Sequence, residues 1–269
     1  MQLTFAKYVG CGNDFILFDN REESFPKKDE SLIRSLCHRQ FGIGADGVIL
    51  LESSSKADFS MRIYNADGSE AEMCGNGIRC LMRFLEHLGL KDPSYSIETM
   101  HKILLLEHHG KDIRVEMGIP NNTKWNISFN ENDSVFQLHY LDTGVPHIVL
   151  FVDEIESFDL KKWGPHLRYH KLFAPKGTNV NIAQRLPNDE IKIRTYERGV
   201  EGETLACGTG ATAVALAAAY CYQIRNPITI QTGLGQKLTI DFEQTGLTFE
   251  NVTLTGPATR TFKGTIDLY

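Results

Sequence analysis

No run of this sequence is long and apolar enough to span a membrane. Its most apolar stretch, residues 211–222, is short and rich in alanine, as suits a buried helix. The first ten residues lack the apolar run of a secretory signal, so a cytoplasmic protein with reduced thiols is expected. There is no basic tract, and the net charge is -6, which leaves no electrostatic footprint for nucleic acid and no membrane partner. The six cysteines, at 11, 37, 74, 80, 207 and 221, are too sparse for a disulfide scaffold and form no C-x-x-C pair, so no metal site is expected. His166 and His170 have helical spacing, but no carboxylate lies between them, and a surface pair is the better reading.

What remains is ordinary globular composition, with 42% hydrophobic and 23% charged residues in 269, enough for one large domain or two of usual size. Alternating apolar runs predict strands at 3–8, 15–18, 47–51, 59–64, 95–98, 103–107 and 113–117. Asp46-Gly47 and Asp67-Gly68 read as tight turns. A helix is predicted over 78–88, stopped by Gly89. The second half repeats this plan: strands at 135–141, 148–152, 180–183 and 191–196, a helix over about 209–222, then strands at 228–231, 237–242 and 252–255.

The repeat also shows in individual residues. Tyr64-Asn65 leads to Cys74-Gly-Asn-Gly77, and Tyr196-Glu197 leads to Cys207-Gly-Thr-Gly210; the tyrosines are 132 apart and the cysteines 133. Gly12-Asn-Asp-Phe15 and Gly144-Val-Pro-His147 are also 132 apart. A repeat this long implies two similar lobes made by duplication, with a site between them. The Pro/Asn-rich break at 118–122 is the expected boundary, giving lobes 1–118 with Cys74 and 119–269 with Cys207, the last strand being free to return to the first lobe.

Each Cys-Gly-x-Gly element places a cysteine just before a helix. The unpaired N–H groups of a first helical turn suit a carboxylate, and the same positive end favours thiolate. Glycine lets a ligand approach the backbone closely. With two such starts face to face, one carboxylate can sit between both sets of N–H groups and each thiol can flank the attached α-carbon. One thiolate removes the α-proton and the opposite thiol returns one to the other face, which inverts the centre. The alternative for Cys74 and Cys207 is a buried structural thiol. Cys80 and Cys221 lie inside the helices and read as core; Cys11 and Cys37 read as structural.

Several segments taken together resemble the diaminopimelate epimerase family: Gly10-Cys-Gly-Asn-Asp-Phe15, Gly42-Ile-Gly-Ala-Asp-Gly47, the stretch from Tyr64 to Arg79, Gly177-Thr-Asn-Val-Asn181, and the stretch from Tyr196 to Gly210. The resemblance implies conversion of L,L-diaminopimelate to the meso form, on the route to lysine and peptidoglycan, with no cofactor. It implies an α+β fold of two pseudo-symmetric lobes, each a curved, mostly antiparallel sheet wrapped around a central helix. By motif, Cys74 and Cys207 are the catalytic thiols, and Gly75, Asn76, Gly208 and Thr209 supply N–H groups to the reacting carboxylate. Asn13, Asn65, Asn179, Glu197 and Arg198 match substrate-binding positions. An arginine beside an acid suits the carboxylate and ammonium of the substrate's far end. A surface ion pair is the alternative for Glu197-Arg198, and a turn residue the alternative for each asparagine. His147 matches a position beside the site, where it could orient or tune a thiol or be a plain loop histidine.

The chain departs from the family pattern at Val145, where asparagine is common, and at Gly47, where a longer polar residue is common. Both changes suggest relaxed selectivity, with slow racemisation of a smaller amino acid such as glutamate. Phe262 stands where the family has a tyrosine at its dimer contacts, and a homodimer is expected. Two further readings stay open. A proline-racemase-like enzyme would also use two cysteines, but Glu197-Arg198 suits a substrate with a charged far end. A thiol redox sensor or a non-catalytic amino-acid-binding protein would keep the residues and lack the turnover.

Overall fold

The computed structural model describes residues 2–131 and 134–267. The chain divides into two compact units, Met1–Val115 with Gly256–Tyr269, and Glu116–Thr255.

In the first unit the order is β1 (Gln2–Gly10), β2 (Asn13–Asp19), α1 (Glu30–Cys37), β3 (Gly47–Glu52), β4 (Phe59–Asn65), β5 (Glu70–Ala71), α2 (Gly75–His87), β6 (Ser94–Glu98), β7 (Ile103–His109) and β8 (Asp112–Glu116). Strand β2 runs antiparallel to β1 but parallel to β3, with Phe15 opposite Gly47. A parallel pair needs a crossover, and α1 supplies it. Helix α2 packs against β1 to β4. Its residues from Gly75 to Met82 are all buried, Asn76 and Arg79 among them. On the other face of the sheet Phe18, Phe25, Ile33, Leu36, Val48, Leu50 and Tyr64 form an apolar cluster under α1. The sheet is therefore covered on both sides, which explains why β3 is buried at every position.

The second unit contains β9 (Asn121–Glu131), β10 (Ser134–Asp142), β11 (Pro146–Phe151), α3 (Leu160–Arg168), β12 (Asn179–Arg185), β13 (Ile191–Glu197), β14 (Gly202–Thr204), α4 (Gly208–Tyr222), β15 (Ile228–Gln231), β16 (Lys237–Thr245) and β17 (Thr248–Gly256). Here β11 is parallel to β12, with His147 opposite Asn179, and α3 makes the crossover. Helix α4 packs against β10 to β13, β15 and β16, and every residue from Gly208 to Ala219 is buried. This is why it is written in alanine and valine, with no polar stripe. The last strand, β18 (Thr259–Asp267), belongs to the first unit, where it pairs antiparallel with β1.

The two registers repeat. Phe15 opposite Gly47 and Val48 opposite Tyr64 become His147 opposite Asn179 and Val180 opposite Tyr196, each shifted by 132. Beyond the next turn the shift is 133: Tyr64 opposite Glu70 becomes Tyr196 opposite Glu203, and Phe59 opposite Ile97 becomes Ile191 opposite Ile230. The extra residue therefore lies in the β13–β14 turn, which holds Arg198.

Sequence periodicity missed α1, α3, β9 and β18. Helix α1 has 8 residues and α3 has 9 with Pro165 inside, both too short for a clear helical period. Each is fixed by an aspartate cap, Asp29 accepting from the Leu32 N–H and Asp159 from the Lys162 N–H, both at 3.0 Å. Gly47 opens β3, as the strand predicted at 47–51 requires. A Cβ there would lie 2.4 Å from the Tyr64 carbonyl oxygen, so in this chain a side chain at 47 forces the backbone to shift.

Candidate active site

Cys74 is the N-cap of α2, with extended backbone, and its Sγ accepts the Gly77 N–H at 3.4 Å. The first turn of α2 carries no acidic side chain, so its positive end is uncompensated from within. Gly77 has a steric reason as well, since a Cβ would meet Ile49 Cδ1 at 2.9 Å.

The side chains beside Cys74 form a directed chain of hydrogen bonds. Arg79 is wholly buried and has only donors; among the described residues it makes no ion pair. It donates to the Gly75 carbonyl at 2.8 Å, the Asn76 Oδ1 at 2.8 Å, the Pro257 carbonyl at 3.3 Å and the Cys11 Sγ at 3.3 Å. With its oxygen so engaged, Asn76 donates through Nδ2 to Asn13 Oδ1 at 2.6 Å, and Asn13 donates in turn to Asp46 Oδ2 at 3.0 Å. Asp46 is held by Arg39 at 2.7 Å. Asn13, Cys74, Gly75 and Asn76 are thus brought together in the first unit. Asn65 is exposed at the end of β4, its amide donating to Ser69 Oγ at 3.0 Å within the β4–β5 turn.

Cys207 caps α4 in the same way, with extended backbone and no acid in the first turn, but its Sγ lies 3.4 Å from the Thr209 hydroxyl. That hydroxyl is 2.9 Å from His147 Nε2, and the Thr209 carbonyl accepts from the buried Thr143 hydroxyl at 2.9 Å. Asn179 is buried and holds backbone: it donates to the Pro146 carbonyl and accepts the Arg198 N–H, both at 2.8 Å. Glu197 and Arg198 are half-buried and form no ion pair with each other among the described residues, which removes the surface-pair alternative. The nearby acids Glu201 and Glu203 pair with Arg168 and Arg194 instead. Burial raises the Glu197 carboxyl. Burial, helped by the Arg198 charge, drives His147 down to about 3, so it is a neutral imidazole at physiological pH.

The other four cysteines differ in kind. Burial raises the Cys11 and Cys80 thiols and pushes Cys37 and Cys221 up to about 11, which keeps all four protonated and unreactive. His166 and His170 both face Glu131, at 2.6 and 4.0 Å, as a surface group.

Sequence reasoning missed Arg79, Thr143 and Asn181. Asn181 had a signal: it stands two residues beyond Asn179 in β12, so both side chains emerge on one face of the strand. Arg79 also had one, as a charge among apolar helix positions.

The fold is shared with solved structures of low sequence identity. A phenazine biosynthesis protein of the PhzF family from Bacillus anthracis superposes with a TM-score of 0.79 at 15% identity, over 100% of both chains. A hydroxyproline epimerase from Agrobacterium vitis superposes with a TM-score of 0.72 at 15% identity, over 98% of this chain and 91% of its own. These place the chain in a class of α+β proteins built from two pseudo-symmetric lobes. Within that class the sequence is decisive: the diaminopimelate epimerase family model matches residues 5–123 and 139–261, and the chain belongs to that family. Diaminopimelate epimerase of Flavobacterium psychrophilum is 43% identical over 264 residues, covering 97% of this chain and 98% of its own. That of Hydrogenobaculum sp. is 42% identical over 274 residues, 96% of each. Among the described residues no helix is long and apolar enough to cross a membrane.

Proposed function

We propose that this protein epimerises L,L-diaminopimelate to meso-diaminopimelate in the cytoplasm, without a cofactor, using Cys74 and Cys207 as the acid/base pair. The observation that carries this reading is the repeat at the two helix starts. Two buried central helices are each capped by a partly exposed cysteine, at equivalent positions of a duplicated register. Family membership supports the substrate. The product would serve lysine and peptidoglycan synthesis.

One thiolate takes the α-proton, and the C–H electron pair moves onto the α-carbon and its carboxylate. The other thiol gives its proton to the opposite face and becomes thiolate, so the next turnover runs from the other side. The N–H groups of Gly75-Asn76 and Gly208-Thr209 stabilise the charge that develops on the reacting carboxylate. The Arg198 guanidinium suits the distal carboxylate, and Glu197 with Asn65 suits the distal ammonium. Asn179 acts indirectly, by holding the Arg198 backbone. Phe262 is about half exposed on β18, and a homodimer is expected from this face.

The test is incubation of the reduced protein with L,L-diaminopimelate in D2O with no added cofactor. Deuterium at one α-carbon with meso product, both abolished by Cys74→Ala and by Cys207→Ala, supports the reading. Meso product that still forms after either change sinks the two-thiol mechanism. No exchange from folded, reduced protein rules out this substrate.

A further inference from the structure

Behind Cys207 lies a buried polar group that the two-thiol reaction does not itself use. Asn181 is wholly buried in β12, and its amide orientation is fixed by its neighbours. The Ile148 carbonyl can only accept, so Nδ2 faces it at 2.8 Å, while Oδ1 accepts the Thr195 hydroxyl at 3.0 Å. The second Nδ2 hydrogen points to His147 Nδ1 at 3.1 Å. Nδ1 must therefore be the acceptor nitrogen, and a neutral His147 carries its proton on Nε2. Nε2–H donates to the Thr209 hydroxyl oxygen at 2.9 Å. That oxygen has a single hydrogen, which is left to point at the Cys207 Sγ at 3.4 Å.

We propose that Asn181 and His147 are positioning residues which lock the Thr209 hydroxyl as a hydrogen-bond donor to Cys207. The inference rests on the reading of Cys207 as a reacting thiol. Donation to sulfur favours the thiolate over the thiol, so the relay raises the reactivity of this cysteine. In the first unit Asn76 occupies the place of Thr209, its side chain bonds Asn13 and Arg79, and Cys74 Sγ accepts the Gly77 N–H. Gly210 belongs to the same device, since a Cβ there would lie 2.5 Å from Asn181 Oδ1.

The test reads the thiols directly and needs no substrate, so its failure is separable from failure of the proposed epimerisation. Iodoacetamide alkylation at neutral pH is followed at Cys207 in a Cys74→Ala background and at Cys74 in a Cys207→Ala background, located by peptide mass spectrometry. Thr209→Val and Asn181→Leu are each expected to slow Cys207 roughly tenfold, the worth of a hydrogen bond to a charged group, and to leave Cys74 unchanged. Thr209→Ser is expected to keep the rate. Unchanged Cys207 in Thr209→Val, or equal slowing of both thiols, overturns the proposal. Should a variant not fold, 15N spectra of the unsubstituted protein decide: a proton on His147 Nε2 is required, and one on Nδ1 defeats the relay.

Discussion

The Asn76 side chain donates to the Asn13 carbonyl oxygen over 2.6 Å, so two residues expected at the substrate hold one another. Because Arg79 occupies the Asn76 oxygen, each amide presents nitrogen in one fixed sense. Asn13→Ala is expected to cost about 1 kcal/mol of stability and to lower kcat/KM by about tenfold. Urea unfolding and steady-state kinetics measure the two; activity at the wild-type level would remove Asn13 from the binding set.

Thiol reactivity should separate the six cysteines into two groups. At neutral pH Cys74 and Cys207, partly exposed at helix starts, are expected to react first. Cys11, Cys37, Cys80 and Cys221, raised by burial, should follow only on unfolding. Mass spectrometry of a time course checks the order. Fast labelling of Cys37 or Cys221 in the folded protein would contradict it.

Glu197 ties stability to function with a definite sign. Burial raises its folded pKa above the unfolded value, so its favourable contribution is complete below the unfolded pKa of about 4 and is lost as pH rises through the folded pKa. Above the folded pKa the ionised carboxylate therefore costs stability. Glu197→Gln is expected to raise Tm at pH 7, to lose that advantage near pH 4, and to raise KM for diaminopimelate. A lower Tm at pH 7 would show that the carboxylate is a structural anchor.

Gly47 and Val145 now part company. A side chain at 47 would strike the Tyr64 carbonyl, and Gly47→Ala is expected to cost about 1–3 kcal/mol through overpacking. Val145 lies half-buried in the turn before Pro146. If its valine relaxes selectivity, α-proton exchange of glutamate in D2O should be detectable above a Cys74→Ala control and should fall in Val145→Asn. Silence from glutamate ends that idea.

The sequence by itself determined the duplication, the strand-rich plan, the two central helices and the cysteines that cap them. These are local signals: alternation along a strand, glycines at a helix start, and a spacing that recurs. It also marked Glu197 and Arg198, because a charged pair before a Gly-rich turn is visible in one dimension. What only the tertiary structure decided was who faces whom. Helices α1 and α3 are too short to announce themselves and exist because parallel strands need a crossover. The last strand joins the first unit because β1 has an edge to pair. Asn179 read as a ligand, and the tertiary structure adds that its amide also holds the backbone of Pro146 and Arg198. His147 read as a loop residue or a tuner of thiols, and only the bonds from Asn181 and to Thr209 fix which nitrogen holds its proton. Hydrogen-bond direction depends on the full set of donors and acceptors around a group, and those come from distant parts of the chain.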